Sequence, residues 1–126
     1  MLGRKDYTPE ELENARATVK TQLADWRASG AQDLEATYFN AALVALDRRF
    51  VHRVRTLTGK DTNPLSEVEL LTDSLIAGGS FDAGSVVKYA PEKSVLGLEA
   101  GQEIRLSADD YERVATAFLD EVERRS

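Results

Sequence analysis

One histidine among arginines is the first feature of this 126-residue chain that could support chemistry. His52 follows Arg48 by four residues and precedes Arg55 by three, so a helix would place all three on one face. An imidazole in that position could carry protons. Because no serine or cysteine nucleophile and no orienting carboxylate stands at a recognisable spacing, we expect His52 to be a surface or interface residue without a catalytic role.

The segment around His52 forms a basic face in a chain whose overall charge is −6. The members of the basic face are Arg48, Arg49, His52, Arg53, Arg55 and Lys60. We rank first the explanation that they pair within the chain, with acidic residues such as Glu67, Glu69, Asp73, Glu112 and Glu121. An acidic protein partner ranks second. Nucleic acid ranks last, because the acidic flanks would repel a polyanion.

A second group of polar side chains could line a pocket beside the same part of the chain. This candidate pocket consists of Tyr38, Asn40, Asp47 and Tyr89. In this alternative the protein is an enzyme or binds a small molecule in a concave, mostly apolar site. The chain has no cysteine and no spacing typical of a zinc, calcium or phosphate site, so we expect neither a metal nor a cofactor.

The elements that would position these groups are organised around six consecutive apolar residues, Ala41 to Leu46. A helix that is apolar on all sides at its midpoint needs neighbours on all sides, so we expect a central helix over 33–58. Its main stripe continues through Phe50, Val54 and Leu57. A second stripe, whose small residues allow another helix to approach closely, contains Leu34, Tyr38, Ala41, Ala42 and Ala45.

The predicted central helix is long for a domain of this size. A helix over 33–58 would measure roughly 39 Å, whereas a compact domain of this length has a radius of gyration near 14 Å, by the usual scaling with about the 0.38 power of length. We therefore expect the distal half of the helix to bend or to meet a partner. A homo-oligomer is the simplest assembly that supplies one.

Capping residues and helical periodicity predict three further helices, at about 9–29, 64–77 and 108–125. For the helix at 64–77, Asn63–Pro64 and Ser66–Glu69 are competing start signals. Alternating apolar residues around Gly101 predict a β-hairpin over about 94–106, with a third short strand at 86–89. The fold class is therefore mainly α: one domain over 1–126, an antiparallel four-helix arrangement with a small β-hairpin between helices three and four.

The runs from Tyr38 to Arg53 and from Ser94 to Glu123 resemble stretches of small uncharacterised bacterial proteins. The resemblance covers most of the chain and implies a helical fold, and it transfers no activity and no site residue. No apolar run approaches the roughly 18 to 20 residues of a membrane span, and no secretory signal pattern is present. We therefore expect a cytoplasmic protein that does not bind membranes.

Together these patterns predict a non-catalytic protein-binding or assembly module that associates with itself. The alternative class is an enzyme or small-molecule-binding protein that uses the candidate pocket. Nucleic-acid binding through 48–60 is the third interpretation. The second interpretation requires a concave, mostly apolar pocket in which several of these polar groups converge, whereas the first does not.

Overall fold

The computed structural model describes residues 7–50, 61–83 and 89–125, and these residues form a mainly helical protein. The four α-helices of the described residues are α1 (Pro9–Ser29), α2 (Glu35–Arg49), α3 (Pro64–Ala77) and α4 (Ala108–Arg125). Single turns of 3-10 helix lie at Gln32–Leu34 and Pro91–Lys93. The helical fold class is confirmed, and the bounds of α1, α3 and α4 agree with the capping signals.

Local hydrogen bonds explain where these helices begin and end. Thr8 and Glu11 form the reciprocal capping box of α1, and Gly30 ends the helix in the left-handed region at φ 69°. Asn63, rather than Ser66, caps α3, because its side chain accepts the amides of Leu65 and Ser66 at 2.9 and 3.1 Å. The amide of Asp110 likewise donates to Ser107 Oγ at the start of α4.

Helices α2 and α4 each contact all three other helices of the described residues, and the contacts of α4 with α1 and α3 are the most extensive. Arg16 of α1 pairs with Asp120 and Arg27 pairs with Glu112, so α1 and α4 run antiparallel. The ring of Tyr111 lies 5.3 Å from that of Phe39, and Phe118 lies 5.6 Å from Phe50, so α2 runs parallel to α4. The prediction that the second helix is central agrees with these contacts and with the burial of Leu43 and Leu46, although one side of α2 is exposed.

Helix α2 is shorter than the helix predicted over 33–58. It spans 15 residues, roughly 22 Å, and ends at Arg49 instead of continuing to residue 58. Phe50 leaves the helix at φ −115° and ψ 31°, and its amide donates to the Asp47 carbonyl in a tightened last turn. The turn buries Phe50, whose ring lies 4.8 Å from that of Tyr7. The length argument for self-association therefore fails, and the distal positions 51–60 lie outside the described residues.

The predicted β-hairpin over 94–106 is not formed. Residues 101–104 instead meet the segment after α3: the Phe81 amide donates to Gln102 and the Ile104 amide donates to Gly79, both at 2.8 Å. Ser80 and Glu103 form an isolated antiparallel bridge. The third strand predicted at 86–89 falls largely on 84–88, outside the described residues. Within the described part of the chain, no residues form a β-strand.

The hairpin is absent because distant side chains bind the backbone groups that its two strands would have shared. The carboxylate of Glu67 accepts the amides of Val95 and Leu96 at 2.7 and 3.0 Å. Asn40 donates to the Ile104 carbonyl at 2.9 Å and accepts the Leu106 amide at 3.1 Å. Two α-helical side chains thus anchor this region onto the bundle.

Candidate functional site

The four residues of the candidate pocket do not share one surface. Asn40 is half-buried and its amide clamps residues 104–106, whereas Tyr38 lies almost opposite it around α2 and is 37% exposed. The hydroxyl of Tyr89 donates to the Leu98 carbonyl at 2.5 Å. Asp47 is half-buried near the end of α2. Asn40 and Tyr89 therefore have structural hydrogen bonds, and the enzyme or small-molecule alternative stays a prediction.

The basic face is described only in part. Arg48 and Arg49 are exposed at the end of α2, and Arg49 Nη1 donates to Thr18 Oγ1 at 3.1 Å. The remaining four members, His52, Arg53, Arg55 and Lys60, lie outside the described residues. The carboxyl end of a helix carries a negative partial charge, which favours nearby cations. The positions of Arg48 and Arg49 at that end of α2 therefore need no binding partner to explain them.

Several acidic residues that could have paired with the basic face have other partners. Glu112 pairs with Arg27 at 3.3 Å, and Glu121 pairs with Arg124 and Arg125 on its own helix. Glu67 binds the backbone of residues 95 and 96. For these three carboxylates, the pairing partners expected from the sequence are not the ones seen in the described structure.

Glu67 is the most deeply buried ionisable carboxylate of the described core, at 2% exposure. Burial raises the pKa of the Glu67 carboxyl, and the two amide hydrogen bonds with the nearby charge of Arg113 oppose part of that rise. Arg113 also donates to the Val95 carbonyl at 2.6 Å. Each carboxylate oxygen of Glu67 accepts one backbone amide and the side chain is buried, so its role is structural.

The uncovered side of α2 is the feature that the sequence interpretation did not anticipate. It carries Leu34, Tyr38, Ala41, Ala45 and Arg48, which we call the α2 stripe. Successive members are separated by four, three, four and three residues, the spacing of a coiled-coil seam. Leu34 is 58% exposed, and Ala41 and Ala45 are exposed as well. The second apolar stripe predicted from the sequence is therefore real, but of its members only Ala42 is buried.

A recess of about 100 Å³ adjoins the α2 stripe in the furrow between α1 and α2. Its apolar wall is formed by Val19, Ala42, Ala45 and Leu46, and its polar groups are Thr18, Gln22, Arg49 and Tyr111. Tyr111 has no exposed surface, and its hydroxyl donates to Gln22 Oε1 at 2.7 Å. Burial raises the pKa of Tyr111, so its hydroxyl stays neutral and keeps this hydrogen bond.

Two of the larger recesses of the described residues are open furrows away from the α2 stripe. One of about 480 Å³ lies between α1 and α4, where ion pairs of Arg16 and Arg27 cross it near its ends. Another of about 570 Å³ lies at the end of α3, between Asp73 and Asp82. Over 7–50, 61–83 and 89–125, no group of three or more histidine or acidic side chains is arranged to hold a metal ion.

Comparisons with known proteins add no constraint to this geometry. Neither the family models, nor the curated proteins, nor the solved structures contain a match to the chain. The resemblance to small bacterial proteins therefore stays a prediction. Among the helices of the described residues, none combines the length and the apolar character needed to cross a membrane.

Proposed function

We propose that the protein is a self-associating helical module in which two copies pair through the α2 stripe. The observation that carries the proposal is the exposure of a seam-spaced row of apolar residues, Leu34 to Ala45, on a helix whose other side buries Phe39, Leu43 and Leu46. Exposed leucine and tyrosine side chains at seam spacing are typical of a helix that has a second helix as its partner.

A second copy fits the α2 stripe because the stripe is self-complementary. Ala41 and Ala45 stand at its middle, where small side chains let two helices approach closely. Asp33 and Glu35 lie at its start, and Arg48 and Arg49 lie at its end. An antiparallel pair related by a two-fold axis would bring the acidic start of each helix beside the basic end of the other.

The expected strength follows from the size of the surface. Stable interfaces bury about 1,200 to 2,000 Å² in total. One pair of helices of roughly 22 Å supplies only part of that area, so the neighbouring surface of α1 around Thr18 and Gln22 must contribute. We therefore expect a reversible dimer with a dissociation constant on the order of micromolar rather than a permanent one.

Sedimentation velocity of the wild type across the micromolar range tests the proposal. Ala41→Glu places a carboxylate in the middle of the α2 stripe, where two copies would repel each other, and we expect association at least about tenfold weaker. Ala24→Glu is the matched control, because Ala24 is also an exposed helical alanine but lies on α1 away from the stripe. A wild type that remains monomeric throughout this range would rule the module out.

The other interpretations are supported by fewer of the described residues. An acidic protein partner would use Arg48 and Arg49 together with residues outside the described part of the chain. The small-molecule alternative needs converging polar groups, and Asn40 and Tyr89 already bind backbone atoms. Ala41→Glu separates the classes, since it blocks the stripe and leaves the basic end and the half-buried polar groups unchanged.

A further inference from the structure

The recess between α1 and α2 and the ring of Tyr38 lie on the same side of α2. At 100° per residue, Glu35, Tyr38, Ala42 and Arg49 fall within an arc of roughly 60°. This side faces α1, and the recess opens on it. Tyr38 contacts the Phe39 ring at a centroid distance of 5.0 Å but keeps 37% of its surface exposed. A partly exposed aromatic residue and a hollow therefore occur on one surface of one chain.

We infer that, in the dimer of the proposed function, Tyr38 of each copy inserts into the α1–α2 recess of the other, and Glu35 of each copy pairs with Arg49 of the other. The inference rests on the proposed function and adds the register of the two helices. In this arrangement the second copy fills the recess, and Tyr38, Glu35 and Arg49 determine how the two copies align.

The register follows from the symmetry of an antiparallel pair. A two-fold axis at the level of Ala42 relates positions at equal distances before and after it in the sequence. Position 38 then lies at the level of 46, a wall of the recess, and position 35 lies at the level of 49. The axis also keeps the α1 side of both helices on one side of the dimer. One choice of register therefore satisfies both the aromatic contact and the ion pair.

The recess suits a tyrosine better than an aliphatic side chain. Ala42, Ala45 and Leu46 would contact the ring, and Thr18, Gln22 and Arg49 supply polar groups to the lining of the same recess. Its volume of about 100 Å³ is below the ~150 Å³ of an apolar cavity that encloses a whole benzene, so the ring would enter it only in part. Tyrosine is a common anchor of interfaces because its body is apolar and its tip is polar.

Glu35 is prepared for the ion pair by its contact within the chain. Its Oε2 accepts the Ala108 amide at 2.9 Å, which fixes the carboxylate at the start of α2. Arg49 is held toward α1 by its hydrogen bond to Thr18. Two charged groups that are already ordered lose less side-chain entropy when they pair than two mobile ones do.

A charge-exchange experiment on the full chain tests the register. Glu35→Arg sets two arginines against each other, and Arg49→Glu sets two glutamates against each other, so each variant alone should associate at least about tenfold more weakly than wild type. An equimolar mixture restores both ion pairs, and we expect its dissociation constant to return to within about threefold of the wild-type value. Arg105→Glu, at an exposed arginine outside α2, is the control and should associate normally.

A second measurement does not depend on the folding of Glu35→Arg. The chain has no cysteine, so introduced thiols report directly on distance. Ala41→Cys lies near the two-fold axis and should form a disulfide-linked dimer in a glutathione redox buffer, whereas Arg48→Cys lies far from its symmetry mate and should not. A parallel pair of helices would cross-link at both positions.

The contribution of the ring is measured separately. Tyr38→Ala should weaken association about tenfold, and Tyr38→Phe should weaken it less because the ring is retained.

Two outcomes would show that this register is wrong while the proposed module stands. In the first, the wild type forms a dimer but the mixture of Glu35→Arg and Arg49→Glu associates no more tightly than the single variants. In the second, Arg48→Cys cross-links as well as Ala41→Cys. A monomeric wild type overturns both.

Discussion

Helices α2 and α4 are built from similar numbers of apolar residues, yet they occupy very different positions. Helix α4 buries Tyr111, Val114, Phe118 and Leu119 along one face and contacts every other helix. Helix α2 is apolar around its midpoint, yet it buries only one side and exposes Ala41 and Ala45. Both helices contact the three others, but the helix that is apolar around its midpoint leaves one side exposed, and the amphipathic α4 makes the more extensive contacts.

This difference indicates that the burial of a helix face depends more on the volume of the side chains on that face than on the number of consecutive apolar residues. An alanine removes little apolar surface from water, so leaving Ala41 and Ala45 exposed costs little free energy. A phenylalanine or tyrosine removes far more, so burying the face of α4 that carries Tyr111 and Phe118 contributes more free energy than covering the alanine side of α2 would. The exposed side of α2 is then available to a second copy, where small residues become useful for close packing.

The largest expected effect is on α4. Phe118→Ala removes a ring with no exposed surface from the contact between α2 and α4, and we expect the free energy of unfolding to fall by about 3 to 5 kcal/mol. Urea denaturation measures the change. Thr116→Ala, at an exposed position of the same helix, is the control and should change stability by less than about 0.5 kcal/mol. Similar losses for the two variants would contradict the burial of this face of α4.

The next prediction separates the two sides of α2. Leu46 is 3% exposed, so Leu46→Ala should cost about 2 to 5 kcal/mol by leaving a cavity. Its neighbour Ala45 lies on the α2 stripe, and Ala45→Gln should change the stability of the monomer by no more than about 0.5 kcal/mol. Both are measured at a protein concentration below the dissociation constant of the dimer. A large loss for Ala45→Gln would mean that the stripe is covered within the monomer.

A smaller effect is expected at Glu67, which joins α3 to residues 94–98. Glu67→Gln keeps one acceptor but turns an amide group toward the second backbone N–H, and we expect a loss of about 1 to 3 kcal/mol at neutral pH. Glu92→Gln, at an exposed carboxylate, is the control. Hydrogen exchange should show faster exchange of the Val95 and Leu96 amides in Glu67→Gln alone.

The pH dependence of Glu67 has a definite sign. Burial raises its pKa in the folded state above the ordinary value of 4.5, so the folded protein takes up this proton at a higher pH than the unfolded chain does. The stability from this group is therefore fully present below pH 4.5 and is lost as the pH rises through the folded-state pKa. The free energy of unfolding of the wild type minus that of Glu67→Gln should therefore increase as the pH falls. A difference that does not change with pH, or that decreases as the pH falls, would contradict the shift.

Sequence reasoning succeeded where the signal is local. The caps at Thr8, Asn63 and Ser107 use hydrogen bonds over two or three residues, and the helices begin where those residues stand. Burial of Leu43 and Leu46 followed from helical periodicity. For the candidate site, the sequence identified the second stripe of α2 but assigned it to packing within the chain, because periodicity cannot tell which stripe the fold will cover.

The sequence by itself determined the bounds of α1, α3 and α4 and the inner faces of the helices, because caps and periodicity act within a few turns of one helix. Only the tertiary structure decided that α2 ends at Arg49, since the burial of Phe50 between Tyr7 and Phe118 makes the chain leave the helix there. Only the tertiary structure replaced the hairpin, since Glu67 and Asn40 reach residues 28 and 64 positions away. Only the tertiary structure also decided which side of α2 stays exposed, because that depends on the summed volumes of the side chains that all the helices pack together.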